Sequence, residues 1–193
     1  MDTIKRTKIL KAAIKVFAQE GFFNAKVEQI AKLAGVATGT TYLYFENKDD
    51  ILISIFEEEM LPIIESMRIA LSKKETARQK ISEIIFNHLQ MVQEKPDMAQ
   101  LLEIELRQSS KFIHGYHGTK FKEYLDIMAS AFAEGQENGE FRNDIHPTIF
   151  KQILFGALDQ IAINWTLSKS KKIDLKFSAD QIAALILDGI SNN

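Results

Sequence analysis

Lys26 to Phe45 reads KVEQIAKLAGVATGTTYLYF, and this stretch decides the fold. Val27, Ile30, Ala31 and Ala34 recur at helical spacing, so one face of a two-turn helix is apolar. Gly35 stands where a left-handed residue would stop it. A second, short helix is expected from Thr38 to Tyr44. Two helices cross steeply around so brief a turn only where small residues let their backbones approach, and Ala31, Ala34 and Gly35 meet that need, with Val36 as an apolar plug beneath the turn. The layout is that of a helix-turn-helix.

The second helix is too short and too polar to be a core element, since Thr38, Gly39, Thr40 and Thr41 give it little to bury. It is expected to be an exposed recognition helix. Threonine hydroxyls bond base edges or phosphates, the threonine methyl can rest against thymine, and Gly39 lets the backbone come close to a duplex. Tyr42 and Tyr44 offer hydroxyls to phosphates. Lys48, in the first turn of the next helix, adds a cation where that helix's own dipole favours an anion.

Working outward, Leu10, Ala13, Ile14, Phe17 and Ala18 form the stripe of a first helix that Gly21 is placed to cap. Asn47, with Asp50 three positions on, is expected to open a longer helix through Ile51, Leu52, Ile55 and Phe56. Beyond Pro62, polar connections leave helices near 76–93, 98–110, 119–137, 147–167 and 178–190. Pro147 suits a first helical position, and Ser178 with Gln181 would make a capping box for the last helix. No apolar–polar alternation long enough for a strand occurs. The expected fold is therefore all-α, with an N-terminal three-helix domain over residues 1–50 and a larger helical domain over 51–193.

The 193 residues are 46% hydrophobic, enough to bury a substantial core, and include no cysteine. Disulfide frameworks, thiol catalysis and cysteine-ligated zinc are excluded, and a cytoplasmic location is expected. No uncharged run approaches the ~18 residues of a membrane span, so no membrane partner is expected. Residues 1–53 hold eight Lys or Arg against six Asp or Glu, while the remainder holds sixteen against twenty. A basic head on an acidic body suits a protein that touches nucleic acid with one end.

Residues 5 to 56, through the phrases KILKAAIKVFAQEGF and IAKLAGVATGTTYLYFENKDDIL, resemble the N-terminal domain of the TetR family of transcriptional regulators. Gly21, Gly35, Val36, Tyr42, Phe45 and Lys48 stand where the family's pattern has them. The resemblance implies a homodimer on a pseudo-palindromic double-stranded operator, released by a small-molecule effector. One departure is Lys26: the family usually has a threonine there that caps the second helix and often touches a phosphate. A lysine reaches a phosphate but is a poor N-cap.

Over 147–167, Ile149, Phe150, Ile153, Leu154, Ala157, Leu158, Ile161, Ala162 and Trp165 form a band wider than one core-facing stripe, and Ile182, Leu185, Ile186 and Ile190 give the last helix a similar face. The family resemblance implies that these two helices pair with those of a second subunit. The phrases LLEIELRQS at 101–109 and ILFGALDQIAINW at 153–165 further resemble TetR-type FadR regulators of fatty-acid degradation, which implies a repressor whose effector is long-chain acyl-CoA. Phe86, Leu89, Leu102 and Phe155 are then candidates for an apolar tunnel, and Arg107, with Lys111 and Lys120, for cations at its mouth. Arg107 and Asp159 are charges in apolar surroundings, where each needs a partner: a structural ion pair between helices or a ligand contact.

An enzyme is the rival from another class. The chain has no G-x-S-x-G, no phosphate loop and no glutamate three residues before any histidine. His114 and His117 form an H-x-x-H beside Gly115, which reads as a solvated loop in the absence of a third ligand. Neither a catalytic site nor a cofactor or metal is expected. A regulator of drugs or other lipophilic molecules is the alternative within the same class, because an apolar helical cavity does not name its ligand.

Overall fold

The computed structural model describes residues 3–101, 119–168, 170 and 174–192. Within them the chain is helical, apart from one isolated antiparallel bridge between Phe141 and Ser191. The helices are α1 (Thr3–Glu20), α2 (Val27–Ala34), α3 (Thr38–Tyr42), α4 (Lys48–Leu71), α5 (Ala77–Glu94), α6 (Pro96–Gln100), α7 (Thr119–Glu137), α8 (Pro147–Leu167) and α9 (Leu175–Ile190). The all-α expectation holds. Two compact units result, and both draw on α4: Lys48–Glu59 belongs to the first with α1, α2, α3 and α6, and Met60–Leu71 to the second with α5, α7, α8 and α9.

In the first unit, Ile9, Leu10, Ala13, Val16 and Phe17 of α1 are buried with Ile30 and Ala31 of α2 and with Phe45, Ile51, Leu52 and Ile55. Burying a side chain of this size is worth about 1.5–3 kcal/mol. Gly21 caps α1 with φ +76°, its N–H donating to Phe17 O at 2.9 Å. Asn47 Oδ1 accepts from the Asp50 N–H at 2.9 Å, as expected, but the Asp50 carboxylate returns the bond to the Glu46 N–H at 3.0 Å, one residue earlier than a capping box. Arg6 pairs with Glu58 and lies over the Phe45 ring at 5.2 Å from its centre.

In the second unit α5 is the central element, packed against α7, α8 and α9 through Ile81, Ile84, Ile85, Leu89 and Val92. Phe132 of α7 stacks on Phe150 of α8 at 4.1 Å and on Phe141 at 5.5 Å. Phe141 is seated against Gly135, where a Cβ would overlap its ring. Pro147 opens α8 as expected, capped by His146, whose Nδ1 accepts from the Thr148 N–H at 3.2 Å.

Two helix starts differ from expectation. The last helix begins at Leu175, because the Asp174 carboxylate accepts from the Lys176 and Phe177 N–H groups at 2.8 and 3.1 Å, and Ser178 merely donates its hydroxyl to Asp174 O. The helix expected over 98–110 starts at Pro96 and runs to Gln100; residues 102–110 of the expected range lie outside the described residues. No described helix is long and apolar enough to cross a membrane.

Candidate nucleic-acid interface and effector site

The turn between α2 and α3 is closed by Gly35, whose φ of +70° is a left-handed conformation that glycine adopts at low cost. Its N–H donates to Lys32 O and the Val36 N–H reaches back to Ala31 O at 3.0 Å, which ends α2 within one residue and aims α3 across it. Lys26 sits at the N-cap of α2 without a side-chain cap, as a lysine must, since it has no acceptor. The reciprocal bond is kept: Gln29 Oε1 accepts from the Lys26 N–H at 2.8 Å. The Lys26 side chain is exposed.

Along α3, Gly39 is exposed, Thr38 and Thr40 are half-buried and Tyr42 is 51% exposed. Thr41 corrects the expectation of a wholly exposed threonine cluster. It is fully buried, its Oγ1 without a hydrogen-bond partner among the described residues, because a 100° turn per residue carries one of the four consecutive residues onto the inward face. Gly39 has no positive φ, and a Cβ built on it would meet nothing within 4 Å. Nothing inside the fold requires a glycine there. Tyr44 is half-buried, tilted against Phe45 at 6.5 Å. Leu43, absent from the sequence-derived set, is 68% exposed at the end of α3, and its exposure follows from the helix ending at Tyr42.

Lys48 is engaged within the first unit. Its Nζ donates to Phe23 O and Ala25 O at 3.0 Å each, and lies 4.7 Å above the Phe22 ring. Two of its three donors therefore hold the segment that leads into α2, which makes it a positioning residue for the helix-turn-helix.

The second unit contains a cavity of about 270 Å³ between α4, α5 and α7, bordered by Ile63, Met67, His88, Met91 and Tyr124. Neither Leu89 nor Phe86 borders it: Leu89 is buried in the core, and Phe86 is 40% exposed beside Ala179 and Ala183 of α9. Phe155 is half-buried on α8, edge-on to His88 at 6.1 Å and to Phe121 at 5.2 Å. Asp159, one turn further along, is buried. Lys120 is paired with Glu123 at 2.8 Å. Leu102, Arg107, Lys111, His114 and His117 lie outside the described residues.

This unit has a polar centre that is absent from the sequence-derived set. His88 is 2% exposed and its Nδ1 shares a 2.8 Å hydrogen bond with the buried Tyr124 hydroxyl. Burial pushes the imidazole down to about 4, against a smaller upward effect of Asp159, so the ring is neutral at neutral pH. A signal existed: His88 is the one polar member of the stripe Ile81, Ile84, Ile85, His88, Val92.

A short, exposed second helix held across a capped first helix by a glycine turn defines a DNA-binding regulator of the helix-turn-helix class. The chain belongs to the TetR family: residues 9–55 match the family described as "Bacterial regulatory proteins, tetR family", and residues 56–189 match "YsiA-like protein, C-terminal region". It is 35% identical over 188 residues to the fatty acid metabolism regulator protein of Bacillus subtilis, covering 97% of this chain and 96% of that one. Its fold is similar to the crystal structure of FadR from Bacillus subtilis in complex with stearoyl-CoA, with TM-score 0.88 and 35% identity over 95% of this chain and 98% of that one. It is similar also to the fatty acid degradation regulator FadR from Bacillus halodurans, with TM-score 0.84 and 33% identity over the same shares. These relatives are transcriptional regulators, and the protein is a regulator rather than an enzyme.

Proposed function

We propose that the protein is a homodimeric repressor that grips a pseudo-palindromic operator through two copies of α2–α3 and releases it when a long-chain acyl-CoA enters the second unit. The observation that carries the effector's identity is the likeness, over nearly the whole chain, to a regulator crystallised with stearoyl-CoA. In this reading Thr38, Gly39, Thr40 and Tyr42 face the major groove, Lys26 and Tyr44 reach phosphates, and Thr41 and Lys48 hold the motif in shape, Lys48 with one donor left for a phosphate. Phe155 and Asp159 belong to the effector site, and work at an operator fits a cytoplasmic protein.

The dimer is supported by faces that the protomer leaves uncovered. Ile149 and Ile153 of α8 are 51% and 56% exposed and Leu185 of α9 is 77% exposed, so the second face of these helices is not used by the chain's own core. A two-fold axis through this surface would give the assembly two copies of the recognition helix.

Linkage requires that an effector which weakens DNA binding be bound less tightly by the DNA complex, typically by ~1–3 kcal/mol. Titrating the operator complex separately with stearoyl-CoA, stearate and CoA tests the reading. Release by the acyl-CoA alone is expected. Binding of acyl-CoA without release would overturn it in favour of a regulator of other lipophilic molecules.

A further inference from the structure

The buried stripe of α5 contains one residue whose hydrogen-bonding capacity is half used. His88 Nδ1 is satisfied by Tyr124, but Nε2, across the ring, is buried and has no hydrogen-bond partner among the described residues. An orphaned buried polar atom costs about 1–3 kcal/mol and calls for a cause, and an unbound ligand is one. On one side of the ring stands Phe155, edge-on at 6.1 Å, with Phe121 against Phe155 in turn at 5.2 Å, an apolar surface. On another lies the α4–α5–α7 cavity, whose wall carries the polar groups of Ser66, Asn87 and Gln90. A molecule that suits both sides is apolar before, and polar beyond, a single hydrogen-bonding atom.

We propose that His88 Nε2–H receives the carbonyl oxygen of the effector's acyl group, with the Tyr124 hydroxyl donating to Nδ1 and so fixing the tautomer that makes Nε2 a donor. The proposal rests on the acyl-CoA reading above and adds the contact by which the thioester itself is recognised. A phenol donating into an imidazole nitrogen is the ordinary polarity of such a pair. The ring is neutral at neutral pH, which fits an uncharged carbonyl better than a carboxylate. Thioester would therefore be distinguished from free fatty acid at this residue.

The test compares the full-length protein's affinity for stearoyl-CoA and for S-octadecyl-CoA, a thioether with the same chain and no carbonyl oxygen, by titration calorimetry. Wild type is expected to favour the thioester about tenfold, the size of one buried hydrogen bond. His88→Gln places an amide nitrogen near the Nε2 position and should keep that preference, whereas His88→Asn keeps a group near Nδ1 for Tyr124 and should lose it. A purely structural histidine gives the opposite order, and that result would overturn the assignment. Equal affinity of wild type for both compounds sinks it without need of any variant. If wild type binds neither compound, the acyl-CoA reading falls and this contact falls with it.

Discussion

Gly39→Ala separates what the fold needs from what the operator needs. The backbone at Gly39 is not left-handed and a Cβ there projects into open space, so the folded protein gives up nothing on substitution. Alanine also restricts the unfolded chain and favours helix, a gain of about 0.5–1 kcal/mol at an exposed helical site. For a chain of this length that raises the melting temperature by roughly 1–4 °C. In the proposed operator complex the same methyl would stand on the face of α3 that enters the groove, where the backbone comes closest to the bases. Displacing the helix by part of a methyl radius there strains several contacts together, and a loss of at least tenfold in operator affinity, about 1.4 kcal/mol, is expected. Thermal unfolding followed by circular dichroism and operator titration by fluorescence anisotropy measure the two effects on one preparation. A lowered melting temperature would mean that the fold requires the glycine. Unchanged operator affinity would mean that this face of α3 does not meet DNA.

Four further outcomes are expected. Gly135→Ala drives a methyl into the ring of Phe141, a side chain 1% exposed, and should cost about 1–3 kcal/mol, read as a melting temperature lowered by several degrees; an unchanged value would refute that packing. His88 is held near 4 when folded against 6.5 unfolded, so on acidification the unfolded chain takes the proton first. Its contribution is intact above pH 6.5 and is lost as pH falls toward 4, by up to ~3 kcal/mol, and the stability difference between wild type and His88→Gln should change across that window and nowhere above it. Leu185→Asp puts a charge on a residue 77% exposed in the protomer and should leave the fold intact while shifting sedimentation from dimer to monomer at micromolar concentration. Lys48→Met removes the donor from two loop carbonyls, and should lower both stability and affinity for every operator sequence alike; a change of preferred sequence would contradict a positioning role.

What the sequence disclosed was what local chemistry controls. Pro147 and the glycine turn after α7 mark their boundaries in one or two residues, and helices expected at 119–137 and 147–167 occur with those bounds. Gly21 and Gly35 cap where left-handed residues are needed. Asp174 is a local signal too, four residues before the more familiar pattern of Ser178 and Gln181. The candidate site was harder to read, because its decisive contacts span the chain. Lys48 meets carbonyls more than twenty residues away, and His88 meets Tyr124 at a separation of 36. In sequence the threonines form one polar block, and it is their rotation about α3 that divides them into half-buried and buried.

The same separation of scales bears on how an effector could reach the operator. α4 is one continuous helix from Lys48 to Leu71, and its two ends have different duties. Its first residue is tied by two hydrogen bonds to the segment that delivers α2. Its later turns, through Ile63 and Met67, border the cavity beside His88. At the edge of the same cavity stands Pro62, which cannot donate its backbone hydrogen bond and weakens the helix at that turn. A stiff helix would pass on any change at the cavity; a helix softened at Pro62 can absorb part of it. If the proposed effector acts on the operator through α4, Pro62→Ala, which restores the missing donor, should increase the coupling measured as the ratio of operator affinities with and without stearoyl-CoA. A ratio unchanged or reduced in that variant would show that α4 does not carry the signal through Pro62.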